Sequence, residues 1–493
     1  MIASLVILLF FLLVSLYLGV RAKRGKDMDL EQWSVGGRGF GTLFVFLLMA
    51  GEIYTTFTFL GGSGWAYGKG GPSLYILVYG TLAYVLSYWL LPPIWRFAKE
   101  NRLISQPDFF TKKYNSPALG ILVSVVGVVA LIPYLVLQLK GLGIIVSEAS
   151  YGAISPAVAV WIGLFTITLY VMISGIHGSA WNAVLKDFLI LFVVVFLGIY
   201  LPIHYFGGIQ PMFEAVQAAK PNFLILPDKG MSISWFISTI VLTVFGYYMW
   251  PHTFASTYTA KNTKVFRKNA VFMPLYSIVL VLVLFIGFTA ITKVPELNGT
   301  DADLSLFKLS IQTFDPWAVG LIGAAGLLTA LVPGSMMLMA SATLLAKNVY
   351  NVIVPGATDK QIASIAKYMV PVIALIAVFF TFNGGNTIAA LLLMGYSLVT
   401  QLFPSLLFSL GKRPLVTKQG AFAGIVAGVG FVAYTTFSGA TIGKLFPALP
   451  QALKDLNIGI IALGLNVIVL FAVNTFTKTP TINESHEKSV LSK

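Results

Sequence analysis

Successive apolar runs of about 20 residues or more fill this chain from end to end, the length a helix needs to cross a bilayer. They fall at approximately 2–20, 41–67, 73–95, 117–147, 155–176, 180–203, 233–258, 270–293, 316–346, 367–384, 386–411, 418–438 and 456–476. That predicts an all-α polytopic membrane protein with about thirteen transmembrane helices, numbered 1 to 13 in that order. The composition agrees: 10% of the residues are charged, against roughly 25% in soluble domains. Residues 1–493 read as one membrane domain, with no linker or low-complexity segment between helices. The first run lacks a basic leader and a small-residue cleavage site, and Arg21-Ala22-Lys23-Arg24 follows it, so it reads as a retained helix.

The net charge of +14 raises the question of a nucleic-acid partner, and its distribution argues against one. Assigning the loops alternately to the two sides places all seven arginines (Arg21, Arg24, Arg38, Arg96, Arg102, Arg267 and Arg413) on one side. By the positive-inside rule that side is the cytoplasm. The expectation is a multi-pass plasma-membrane protein with its N-terminus outside and its C-terminus inside. There is no cysteine, and four histidines are scattered. Thiolate metal sites are excluded and zinc chemistry is disfavoured. No paired acids or nucleophile–base set points to an enzyme, and no cofactor is implied beyond a coupling cation, H+ or Na+.

Within this apolar frame Glu52 stands near the middle of the second run. An ionised group at membrane depth costs about 3 kcal/mol on insertion scales unless it is paired, protonated or facing water. Gly51 before it and the hydroxyl-bearing Tyr54, Thr55 and Thr56 after it predict a helix that breaks there. A second break is predicted in helix 7, in Gly246-Tyr247-Tyr248-Met249-Trp250-Pro251-His252, because proline has no N–H and clashes with the preceding turn. Broken helices with a buried acid point to a transporter. An exposed helix N-terminus after the helix 2 break would suit a substrate carboxylate. Tyr248 and Trp250 are candidates to wall the pocket, His252 to donate to a carboxylate, and Gln401 of helix 11 to reach it. For these four, packing and helix-joining roles stand as alternatives. Lys140, at the outer part of helix 4, either attracts an anion or snorkels to the interface.

The chain resembles the solute:sodium symporter family along nearly its whole length. Four places carry the resemblance: Gly36-Gly37-Arg38; Gly61-Gly62-Ser63-Gly64 with Gly68; the run Gly246-Tyr247 through Trp250-Pro251-His252; and Ser341-Ala342-Thr343 through Asn348-Val349-Tyr350. Within the family it is most similar to the bacterial monocarboxylate permease branch. The resemblance implies the leucine-transporter fold, with inverted repeats of five helices each over about 41–203 and 233–411. Residues 2–20, 418–438 and 456–476 would then be peripheral. It implies cation-coupled import of a small organic solute by alternating access. A short monocarboxylate of the lactate or pyruvate type is the expected solute, with proline or pantothenate, or a non-transporting sensor, as alternatives. A monomer would suffice, with lipid around it and no nucleic-acid partner.

The resemblance also implies a sodium site between helices 2 and 9, and this chain departs from it there. The carbonyl-ligand positions fall on Met49 and Glu52, and the hydroxyl pair of helix 9 falls on Val332 and Pro333, which have no side-chain oxygen. A one-turn shift would offer Thr329 or Ser335. On helix 6, where the family carries Thr-Asp or Ser-Asp, the chain reads Lys186-Asp187. Sodium wants oxygen ligands, and an ammonium can occupy a monovalent cation's place. A related class of proton-coupled amino-acid transporters carries a lysine on the equivalent helix. Lys186, with Glu52 as its counter-ion and Asp187 nearby, is therefore a candidate substitute for sodium, and a coupled buried pair of this kind can exchange a proton. The alternatives are a structural Lys186–Asp187 pair and a sodium site rebuilt from Glu52, Thr329 and Ser335.

Overall fold

The structure is a computed structural model, and it describes residues 1–294 and 297–477. Among the described residues, eleven helices are long and apolar enough to cross a membrane, and Ile233–Tyr247 with Pro251–Tyr258 forms a twelfth span bent by 47°. The thirteenth expected span, helix 2, is divided. Thr42–Gly51 ends at the predicted break, a non-helical stretch follows, and the chain resumes as a π-helical turn Phe57–Gly61 and the helix Gly62–Lys69.

The remaining helices begin and end close to the expected limits: helix 1 Ile2–Arg21, helix 3 Tyr75–Glu100, helix 4 Pro117–Ala149, helix 5 Pro156–Ser174 and helix 6 Ile176–Phe206. In the second half, helix 8 is Lys264–Ile278 continued by Leu280–Lys293, helix 9 is Pro316–Leu344 and helix 10 is Asp359–Asn383. Helix 11 starts as Ile388–Val399, helix 12 is Lys418–Ser438 and helix 13 is Ile458–Thr477. Helices 8 and 10 start several residues before the apolar runs because their first turns are charged, Lys264 to Lys268 and Asp359 to Lys360. Hydropathy misses such turns. The long loop 204–232 contains a helix, Ile209–Ala219.

Each break has a local cause. Trp250 is extended (φ −69°, ψ 134°), the conformation imposed on a residue before proline. At helix 2 the freed groups find side chains. The Thr55 hydroxyl accepts from the Phe57 amide at 3.1 Å, and the Thr58 hydroxyl donates to the Ile53 carbonyl at 2.6 Å and accepts from the Thr55 amide at 3.1 Å. Lipid offers no such partners, so a break survives only where protein supplies them.

The loops alternate as expected. At one end of the bundle Arg38 donates to the Leu103 carbonyl at 2.5 Å, Phe40 pairs with Ala260, and Lys113 donates to the Gly411 carbonyl at 2.8 Å. At the other end the Gly71 amide donates to the Phe223 carbonyl at 3.0 Å, and Lys308 lies 2.9 Å from Glu148. All the arginines belong to the first end. Helices 9 and 11 are the most enclosed spans, followed by helix 4, with helix 1 packed on helices 5, 6 and 9, and helices 12 and 13 paired with each other beside helix 11.

Candidate coupling and substrate site

The two breaks face each other, and Glu52 joins them. Its carboxylate accepts from the Thr253 hydroxyl at 2.6 Å and from the Ser256 hydroxyl at 2.9 Å, both on the first turns of Pro251–Tyr258. Both bonds lie in a buried site, with Glu52 only 5% exposed. Thr253 and Ser256 are three residues apart, so one helix face presents both hydroxyls. Their signal in the sequence was hydroxyls at that spacing directly after Pro251.

Lys186 is fully buried. Its ammonium donates to the Tyr54 carbonyl at 3.2 Å, inside the helix 2 break, and lies 2.8 Å from Asp187 Oδ1. The contact with Asp187 is an ion pair without a directed hydrogen bond, and neither Asp187 oxygen accepts one from any donor. Gly51 makes room for the ammonium, since a Cβ there would lie 3.0 Å from Lys186 Nζ. The expectation that Glu52 is the counter-ion of Lys186 is corrected: Asp187 is the ion-pair partner, and Glu52 is held by helix 7.

The family's sodium ligands are otherwise engaged. The Met49 carbonyl accepts from the Tyr84 hydroxyl at 3.2 Å, and Tyr84 in turn accepts from Tyr247 at 3.0 Å. The Glu52 carbonyl accepts from the Tyr134 hydroxyl at 3.2 Å. Val332 and Pro333 are buried without a side-chain oxygen. Thr329 bonds its own helix, at the Gly326 carbonyl, and Ser335 bonds the Val332 carbonyl and Ser179 of helix 6. Among the described residues no hydrogen bond links Glu52 to Thr329 or Ser335, whose hydroxyls are engaged on helices 9 and 6. Among the described residues no group of three or more His, Cys, Asp or Glu side chains is placed to hold a metal ion.

The helix 2 N-terminus expected to receive a substrate carboxylate is already occupied. Gln138 of helix 4 accepts from the Thr56 amide at 3.3 Å and from the Thr56 hydroxyl at 2.6 Å, while the Thr55 and Phe57 amides bond threonine hydroxyls. Thr55 and Thr56 thus cap the break. Tyr54 points its ring and hydroxyl at Tyr276 of helix 8, donating to its carbonyl at 3.0 Å, and offers the site only its carbonyl. Gln401 lies elsewhere. It donates to the Gly459 carbonyl at 3.2 Å and accepts from Asn466 of helix 13, joining the core to the peripheral pair.

Aromatic rings pack together next to the helix 7 break. Tyr134 lies 4.9 Å from Trp250 and 5.7 Å from His252, ring centre to ring centre, and Trp250 lies 5.3 Å from Tyr396 of helix 11. Tyr396 in turn meets Tyr79 of helix 3 at 5.9 Å. On helices 4 and 7, Trp250 Nε1, the Tyr248 hydroxyl, His252 Nδ1 and Gln138 Nε2 are buried with no hydrogen-bond partner among the described residues. Buried polar groups are rarely left unpaired. Tyr248, Trp250 and His252 are the residues the break motif singles out. Tyr134 and Gln138 were missed, although a glutamine deep in an apolar helix was the available signal.

Two facing helix breaks joined by a buried carboxyl group are the arrangement expected of a secondary transporter. The sodium:solute symporter family profile matches residues 33–428, and the chain belongs to that family. It is 69% identical to the Uncharacterized symporter YhjB of Bacillus subtilis, over 97% of both chains. It is 34% identical to the Uncharacterized symporter YodF of the same organism, over 88% of both. A Monocarboxylate transport permease protein of Rhizobium johnstonii is 26% identical over 96% of both. Among solved structures, a Na+-coupled sialic acid symporter superposes with a TM-score of 0.78 at 15% identity, covering 97% of this chain and 98% of that one. The transporter MhsT superposes at 0.53 and 14% identity, over 88% of this chain and 99% of that one. The fold is that of the leucine transporter, as expected, and family and fold are those of secondary transporters.

Proposed function

We propose that this chain imports a short monocarboxylate coupled to protons, with the Lys186 ammonium standing where the family binds sodium. The carrying observation is the position of Lys186 Nζ, 3.2 Å from a carbonyl of the helix 2 break and beside Asp187. A tethered cation there bridges helix 2 to helix 6 as a bound ion would bridge helices. Proton loss would release the bridge, and Glu52, bridging the two broken helices through Thr253 and Ser256, is the second proton-sensitive link. The orphan donors of Trp250 and Gln138 suit a carboxylate, and the aromatic wall suits a short apolar body. The similarity to the Rhizobium johnstonii monocarboxylate transport permease protein favours the same solute class. Moving an anion with a cation carries little net charge across the membrane potential. The arginine-bearing end is assigned to the cytoplasm, with the N-terminus outside.

The test is uptake of labelled pyruvate into proteoliposomes, comparing an imposed pH gradient with an imposed sodium gradient. Accumulation driven by pH alone supports the reading. A strict sodium requirement would reject proton coupling and leave Lys186 structural. Absence of uptake under either gradient would remove the monocarboxylate.

A further inference from the structure

At the end of the bundle away from the arginines, four elements meet on one carboxylate. Asp303, in the turn Gly299–Leu304 between helices 8 and 9, is 1% exposed. Its Oδ2 accepts from the Ile388 amide, the first of helix 11, at 3.2 Å and lies 3.9 Å from Lys140 Nζ of helix 4. Lys140 also donates to the Asn386 carbonyl at 2.8 Å. The outer half of helix 2 closes the junction through two glycines. A Cβ on Gly64 would lie 2.9 Å from Asp303 Oδ1, and one on Gly61 would lie 3.0 Å from Ile388.

We propose that this Lys140–Asp303–Ile388 junction is the latch that closes the transport pathway at this end, made in the closed state and broken when the pathway opens there. Lys140, Gly61 and Gly64 belong to the first half of the fold, and Asp303, Asn386 and Ile388 to the second. Alternating access moves parts of the two halves against each other, so contacts between halves at one end must form and part in each cycle. The junction suits that duty. The Ile388 amide makes the fixed link at 3.2 Å, and Lys140, too far for a direct hydrogen bond, compensates the buried Asp303 charge, so the junction holds while water is excluded and yields when water enters. Burial pushes the Asp303 carboxyl up to about 6 in spite of the Ile388 amide and Lys140. The closed junction therefore confines a carboxylate that water would hold more comfortably, which keeps the latch reversible. Lys140 is accounted for by this contact rather than by snorkelling.

The chain has no cysteine, so one introduced thiol reports on the latch. Ile388→Cys places it at a fully buried side chain beneath the junction, leaving the backbone amide in place. A membrane-impermeant maleimide is applied to right-side-out and to inside-out vesicles. Lys140→Met and Asp303→Ala should each raise the labelling rate several-fold from the face bearing Lys140. Asp303→Asn, which keeps an acceptor for the Ile388 amide, should label no faster than the parent. Unchanged labelling in both Lys140→Met and Asp303→Ala, from both faces, overturns the latch. With the bundle oriented the other way round, the increase appears in the opposite vesicles and the latch stands. Ala462→Cys, buried in the helix 12–13 pair, stays unlabelled in every correctly folded variant. Should Asp303→Ala label it, Lys140→Met at the more exposed partner decides the matter.

Discussion

Replacing Lys186 by methionine keeps most of the side chain's volume and removes its charge. Two groups lose their partner. Asp187, 4% exposed, is left as a buried carboxylate with no cation within reach. Removing one member of a buried pair costs about 3–5 kcal/mol. The Tyr54 carbonyl loses its donor, which adds about 1–3 kcal/mol when no water replaces it. The single variant should therefore fold in reduced yield. Lys186→Met with Asp187→Asn removes the uncompensated charge and isolates the coupling question. In proteoliposomes this double variant should keep exchange of labelled substrate between the two sides. It should lose accumulation driven by a pH gradient by more than about tenfold, the factor that 1.4 kcal/mol represents. Parent-like accumulation against the pH gradient would refute the argument, because no tethered ammonium would then be needed to couple the cycle.

Glu52→Gln keeps the shape of the bridge to Thr253 and Ser256 but removes its charge. Losing the titrating carboxyl should flatten the pH dependence of uptake while substrate exchange persists, measured as initial rates across pH. Trp250→Phe keeps the ring against Tyr134 and Tyr396 and deletes the free indole N–H; KM should rise about tenfold with little change in the maximal rate. Gln401→Leu cuts the bonds to Gly459 and Asn466, so the melting temperature should fall while KM is unaffected. For Asp303 the sign of the pH effect follows from its carboxyl lying near 6 in the closed junction, above the ordinary 3.8, with Lys140 and Asp301 as the charged neighbours. The closed state binds the proton more tightly than a hydrated carboxylate does, so acidifying that side through 6 favours closure and raising the pH opposes it. Labelling at Ile388→Cys should slow on acidification by more than it does in the Asp303→Asn background, which controls for the thiol's own reactivity.

The sequence by itself determined the membrane class, the number of spans, the alternation of loops and both helix breaks. These follow from local terms: apolar length against bilayer thickness, and Pro251 or Gly51 with neighbouring hydroxyls against helix continuity. It also singled out Glu52 and Lys186, because a charge deep in an apolar run is costly wherever the helix packs. Which partner each charge takes was decided only by tertiary structure. Glu52 and Lys186 each have several acceptors or donors within reach of a long side chain. The choice depends on the rotation of helices 6 and 7 about their axes, which packing over the whole bundle sets. The same holds for Gln138, whose carboxamide fills the helix 2 N-terminus that a substrate carboxylate was expected to use, and for Gln401, turned to helix 13 rather than to the pocket. Asp303 and Lys140 are 163 residues apart in the chain, and no periodicity in either segment encodes that they meet. Their contact exists because two halves of the fold close on one another.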